Sequence, residues 1–284
     1  MTTNQHESAE SSGAESALEN MIPIGEHEEE GRDAQGRKVR HRGVYLLPNL
    51  FTTANMFAGF YSIVCAIHGS FYVASAAIFV AMLFDGLDGR VARMTQTQSA
   101  FGAEYDSLSD MVAFGVAPAL LAYQWALSEL GNVGLTVAFI YTACAALRLA
   151  RFNTQIDTVD NRWFIGLASP AAAALVAGMV WAVFTFTEKG VAGADLPVFA
   201  NVLFGLLVAV VGLLMVSNIK FYSFKDLDLK GRVPFVAILI VVLAFAVVFS
   251  DPPRVLLLIF MAYAVSGPVQ FVLELRKNKQ AVNK

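Results

Sequence analysis

Long apolar stretches recur from about residue 51 to the end of the chain, separated by short polar breaks. A helix needs roughly 20 mostly apolar residues to cross a bilayer. On that measure the pattern predicts eight spans, at about 51–69, 71–93, 102–127, 133–152, 165–186, 198–217, 234–250 and 254–273. The apolar segment Val44–Leu50, which holds Pro48, predicts a short helix or turn lying along the membrane interface. The expected fold is therefore an all-α integral membrane protein with about eight transmembrane helices.

Residues 1–41 do not share the pattern. Positions 1–36 carry nine acids against one base, Arg32, with few apolar residues and no period, which predicts a disordered acidic tail. No apolar run near Met1 resembles a cleaved signal. Arg37, Lys38, Arg40 and Arg42 give the tail a basic end, placed to meet anionic headgroups just before the first span. The expected organisation is a tail over 1–41, a transmembrane catalytic domain over 42–275 and a short basic tail over 276–284.

Composition agrees with the apolar pattern. The 284 residues are 56% hydrophobic and 15% charged, whereas a soluble domain is about 45–50% apolar and about 25% charged. A net charge of −3 leaves no electrostatic footprint for nucleic acid. Cys65 and Cys144 both fall inside apolar runs and read as small core residues. Trp125, Trp163 and Trp181 lie near span ends and read as interface anchors.

Charge asymmetry sets the orientation. With eight spans, Lys189 and Arg254 are the only two of the 20 lysines and arginines on one side of the membrane. The positive-inside rule then puts both termini in the cytoplasm of a multi-pass protein of the cell membrane.

Two spans contain acids that a plain membrane anchor would not hold. The second ends Asp85-Gly86-Leu87-Asp88-Gly89-Arg90-Val91-Ala92-Arg93, and the third begins Gly102-Ala103-Glu104-Tyr105-Asp106-Ser107-Leu108-Ser109-Asp110. An ionised residue at the bilayer centre costs on the order of 2.5–3.5 kcal/mol on the mildest scale, and less near a helix end. Asp85, Asp88, Gly89, Ala92 and Arg93 fall on one helix face about 140° wide, and Gly102, Asp106 and Asp110 form a stripe about 80° wide. A short connection makes the two helices antiparallel neighbours, so four carboxylates can face one gap. All-oxygen ligation suits Mg²⁺ or Mn²⁺. Gly89 and Gly102 leave room beside them for a bulky ligand such as a nucleotide pyrophosphate. The bland alternative pairs one acid with Arg93, and it does not account for four. His6, His27, His41 and His68 lie too far along the pattern to serve the aspartates.

The run Asp85-x-x-Asp88-Gly89-x-x-Ala92-Arg93, eight residues, Gly102, three residues, Asp106, three residues, Asp110 resembles the signature of the CDP-alcohol phosphotransferases without a departure. The resemblance implies that Asp85, Asp88 and Asp106 are metal ligands that orient the CDP pyrophosphate. It implies that Asp110 joins the metal site and acts as general base on the acceptor hydroxyl, and that Gly89, Arg93 and Gly102 line the CDP-lipid pocket. A paired metal site clamps the attacking and leaving oxygens of an in-line displacement at phosphorus.

Three further runs resemble the phosphatidylserine synthase branch of that family: Arg148–Asn153, Phe164–Pro170 and Ser217–Lys225. The second departs at Ala168, where the branch often has proline. Pro48-Asn49 and Asn55 also fit. The branch implies CDP-diacylglycerol and L-serine as substrates, contact with membrane lipids, and a homodimer. Serine carries a carboxylate, for which Arg151 supplies a planar fork, with Arg148 and Lys220 as further candidates. Topology alone also accounts for Arg148 and Arg151, and snorkelling for Lys220. Ser169 and Asn218 read as small polar groups joining helices. Glycerol phosphate, inositol phosphate or choline as acceptor, or a membrane cation transporter in place of an enzyme, remain the alternatives.

Overall fold

The structure, a computed structural model, describes residues 31–32, 38–39, 46–95, 100–155, 163–186, 191–222 and 235–282. Within 1–45, strand β1 (Gly31–Arg32) pairs antiparallel with β2 (Lys38–Val39), Gly31 opposite Val39. The rest of the expected disordered tail lies outside the described residues.

From Leu46 onward the chain is helical. Helix α1 (Leu46–Ile67) includes Pro48 in its first turn, where the missing N–H breaks no helical bond. The described part of the expected interfacial segment therefore belongs to the helix itself. A Schellman turn closes α1: Gly69, at φ 73°, donates to the Ala66 carbonyl at 3.0 Å and Ser70 to that of Cys65 at 2.9 Å. Helix α2 (Phe71–Thr95) then packs along α1.

The third apolar stretch is one helical run with a change of winding. Helix α3 (Ala100–Asp110) passes through a π-helical segment, Met111–Val116, into α4 (Ala117–Trp125). After a 3₁₀ turn at Leu127–Leu130 come α5 (Asn132–Gln155), strand β3 (Trp163–Ile165), α6 (Ser169–Phe186), a 3₁₀ turn at Gly193–Asp195 and α7 (Val198–Val216). Strand β4 (Lys220–Tyr222), α8 (Phe235–Ser250) and α9 (Pro252–Val282) complete the chain.

Six of the described helices are long and apolar enough to cross a membrane: Pro48–Ile67, Phe71–Thr95, Asn132–Thr154, Ser169–Phe186, Val198–Val216 and Pro252–Leu273. The other two expected spans are present as helices. One is divided by the π segment, and the other, α8, has 16 residues. The core centres on α6, whose apolar window is 61% buried against 11% for Pro252–Leu273. Its run Ala171–Ala174 lets α2, α4 and α9 approach it. Cys65 and Cys144 are buried free thiols.

Two expectations need correction. The span expected over 165–186 starts at Ser169, because Trp163–Ile165 forms a strand. Gly166, at φ 83°, turns the chain so tightly that a Cβ there would stand 2.2 Å from the Met215 carbonyl oxygen. Strand β3 pairs antiparallel with β4, tying the end of α5 to the end of α7, and the buried Phe221 of β4 sits against Gly267 of α9. The tryptophans also differ. Trp125 is buried, donates to the Val191 carbonyl at 3.0 Å and meets Phe204 edge-on, while Trp181 is buried against Tyr72 and Phe79. Both lock helices together; the Trp163 side chain lies outside the described residues.

Contact between α1 and the π segment rests on a missing side chain. A Cβ on Gly59 would lie 2.6 Å from Ala113 Cα. Gly59→Ala is therefore expected to push α1 off the π segment at a cost of about 1–3 kcal/mol, read as a lower thermal unfolding midpoint in detergent. An unchanged midpoint would show that the two helices have room to spare at this point.

Candidate active site

The four sequence-selected aspartates come from the last turns of α2 and from α3. One carboxylate oxygen from each of Asp85, Asp88 and Asp106 lies within 4.8 Å of the others. Asp110 is not part of that trio. It lies one turn further along α3, with its carboxyl in contact with that of Asp85 and within electrostatic reach of Asp106. The two helices therefore do present their acids to one gap.

A divalent cation fits this arrangement. Like charges about 4 Å apart repel by on the order of 4 kcal/mol at the effective dielectric of a protein. Asp106 Oδ1 is buried without a hydrogen-bond partner. Among the described residues the ion pair present, Arg254–Asp251, involves none of the four acids. A clustered all-oxygen donor set with an orphaned buried oxygen is suited to a hard cation.

Helix α1 forms a third wall. The buried Thr52 hydroxyl lies 3.0 Å from Asp88 Oδ2 and 3.2 Å from the Pro48 carbonyl, sharing its proton between them. Three residues on, the fully buried Asn55 donates Nδ2–H to Asp110 Oδ1 at 3.0 Å. Ser109, which lies between Asp106 and Asp110 in sequence, donates back to the Thr52 carbonyl at 2.9 Å. At the rim, the hydroxyls of Tyr105 and Thr53 are 2.9 Å apart.

Helix α5 carries two of the sequence-selected cations. Arg148 of α5 is held by Ser169 Oγ, to which its Nη1 donates, and it faces Asp110 and Asp85 electrostatically. One turn later Arg151 Nη2 donates to Asn218 Oδ1 at 2.9 Å. Asn218, Lys220, Gln270 and Phe271 line a cleft between β4 and α9. Lys220 is exposed on that cleft, which none of the four aspartates lines.

The three residues expected at the CDP-lipid pocket divide between two helices. Gly89 is exposed, and a methyl group on its Cα would meet nothing within 4 Å, so open space adjoins the acids there. Arg93, also exposed, donates Nε–H to the Gly89 carbonyl at 2.9 Å. Gly102 is half-buried on α3.

Sequence spacing misses the wall on α1. Thr52 carries no mark of its own in the sequence, and Asn55 enters only through a resemblance. Their signal is two polar residues at i, i+3 in a mostly apolar helix that also carries Asn49, Thr53 and Ser62, and it marks one face without saying what that face meets. Ser169 and Asn218, read as helix glue, prove to be the partners of the two arginines.

A model of the CDP-alcohol phosphatidyltransferase family matches residues 45–214. The chain belongs to that family. It is similar to the CDP-diacylglycerol–serine O-phosphatidyltransferase of Helicobacter pylori, 36% identical over 245 residues, which is 84% of this chain and 98% of the relative. The enzyme of the same name from Methanocaldococcus jannaschii is 35% identical over 195 residues, 69% of this chain and 82% of its own. That from Saccharomyces cerevisiae is 36% identical over 174 residues, 56% of this chain and 59% of its own. With its apolar helices, the chain is a multi-pass membrane protein.

Thr52→Val keeps the volume of the side chain but removes the donor to Asp88. Loss of such an outer hydrogen bond typically costs 10–100-fold in metal affinity. The variant is expected to need about 10–100-fold more Mn²⁺ for half-maximal binding, measured by electron paramagnetic resonance titration. An unchanged requirement would separate Thr52 from the acidic cluster.

Proposed function

We propose that the protein transfers the phosphatidyl group of CDP-diacylglycerol to the hydroxyl of L-serine, giving phosphatidylserine and CMP. The observation that carries the reading is the meeting of Asp85, Asp88 and Asp106 within 4.8 Å, with Asp110 beside them. The names of the relatives support serine as the acceptor.

Asp85, Asp88, Asp106 and Asp110 would hold Mg²⁺ or Mn²⁺, which when bound neutralises the pyrophosphate and the charge that gathers on departing CMP. Asp110 takes the hydroxyl proton of serine as that oxygen attacks phosphorus. The new P–O bond forms as the bond between the phosphatidyl phosphorus and the CMP oxygen breaks. Asn55 holds Asp110 in place through its amide N–H. The open space beside Gly89, with Arg93 and Gly102, receives the CDP end of the lipid. Arg148 and Arg151 offer charge to the serine carboxylate, with Lys220 and its cleft as an outer contact.

The acceptor is water-soluble and the donor is a lipid, so the site opens both to cytoplasm and to bilayer. The reading carries eight spans, both termini in the cytoplasm of a cell membrane, and a homodimer.

Asp106→Asn and Asp110→Asn are each expected to lower CMP release from CDP-diacylglycerol and serine by at least about 10³-fold while the protein still inserts. Near-normal turnover of either variant would contradict the assigned roles. A chelator should stop CMP release and Mg²⁺ or Mn²⁺ restore it. Purified protein offered serine, glycerol phosphate, inositol phosphate and choline in parallel should release CMP with serine. Release with another of these alcohols and none with serine would remove the acceptor assignment.

A further inference from the structure

Asn55 holds more hydrogen-bonding capacity than the protein uses. Its side chain is fully buried, and its Nδ2 donates to Asp110 Oδ1 at 3.0 Å. An ionised carboxylate only accepts hydrogen bonds, so the amide must turn its NH₂ end toward Asp110. That orientation commits Asn55 Oδ1 to the other side of the amide, where it is buried and has no donor among the described residues. The buried hydroxyls of Thr52 on α1 and Ser109 on α3 are engaged, Thr52 with Asp88 and the Pro48 carbonyl, and Ser109 with the Thr52 carbonyl. A buried amide oxygen without a donor is rare in a native structure and calls for a missing partner.

We propose that Asn55 Oδ1 accepts a hydrogen bond from the ammonium group of the acceptor substrate, making Asn55 a specificity-determining residue for a 1,2-amino alcohol. This rests on the serine-transfer reading. The acceptor's hydroxyl proton goes to Asp110, so the hydroxyl has no second proton for Asn55. In serine the other strong donor is the ammonium on the adjacent carbon. The two acceptor atoms it meets are likewise neighbours, since Asp110 Oδ1 and Asn55 Oδ1 flank one side-chain amide. One amide thus does two things: its N–H fixes the base, and its oxygen reads the charge next to the reacting hydroxyl. On that reading Arg148, which faces Asp110 electrostatically, and Arg151, held by Asn218, serve the third group of serine, its carboxylate.

The test uses the full-length protein with CDP-diacylglycerol in mixed micelles. L-Serine is compared with 3-hydroxypropanoate, which differs only by lacking the ammonium. The KM for serine and the inhibition constant of 3-hydroxypropanoate against serine transfer are measured for wild type and for Asn55→Leu, close in volume but without polar atoms. Wild type should hold serine more tightly than 3-hydroxypropanoate. In the variant that preference should shrink by about 10-fold or more, the scale of a hydrogen bond to a charged group, while the KM for CDP-diacylglycerol stays within about threefold. Should Asn55→Leu turn over too slowly or fail to fold, the same two ligands are ranked by isothermal titration on Asn55→Ala with CDP and Mn²⁺ present. A preference that survives in the variant overturns the inference alone. A wild type that does not use serine overturns the serine-transfer reading, and the inference with it.

Discussion

Repulsion among four carboxylates at the facing ends of two apolar helices is the constraint that the surrounding structure answers. Asp85 and Asp88 on α2 meet Asp106 on α3 at separations where like charges cost several kcal/mol per pair, with Asp110 beside Asp85. Three kinds of group offset that cost. Donors on α1 hold Asp88 and Asp110. The Arg148 guanidinium faces Asp85 and Asp110. The remaining demand, visible at the orphaned Asp106 oxygen, is for a cation between the helices.

Packing explains why those groups reach the acids. Gly59 lets α1 lie against the π segment that begins one residue after Asp110, so Asn55 and Thr52, one and two turns back, fall beside the carboxylates. The Tyr141 hydroxyl donates to the Phe114 carbonyl at 3.1 Å, satisfying a backbone group inside the π segment. On the other flank, Ser169 can hold Arg148 because Gly166 turns the chain sharply before α6. The β3–β4 pairing brings Asn218 toward Arg151 in the same way. Arg148 and Arg151 are thus held by chain segments outside the acidic helix pair.

Apolar periodicity made the helical membrane architecture legible, and the fixed spacing from Asp85 to Asp110 made the acidic cluster legible, because both are local properties of the chain. What stayed hidden depends on tertiary contact. Trp163–Ile165 reads as the start of a span because its apolar side chains say nothing about the strand partner more than 50 residues away. The π segment has an ordinary helical pattern, and one extra residue in a turn leaves no compositional mark. Asn55 and Asp110 are 55 residues apart, so no spacing rule could pair them. Trp125 and Trp181 near span ends fit an interface pattern equally well whether they face lipid or a neighbouring helix.

The central claim is that the acidic stripes of α2 and α3 share bound cation. A crystal structure of the Mn²⁺-soaked protein, recorded at the manganese absorption edge, tests it directly. The account predicts an anomalous difference peak with oxygens of Asp85, Asp88 and Asp106 at about 2.0–2.3 Å, the range for a hard divalent cation. Manganese bound elsewhere with none between these helices would contradict it.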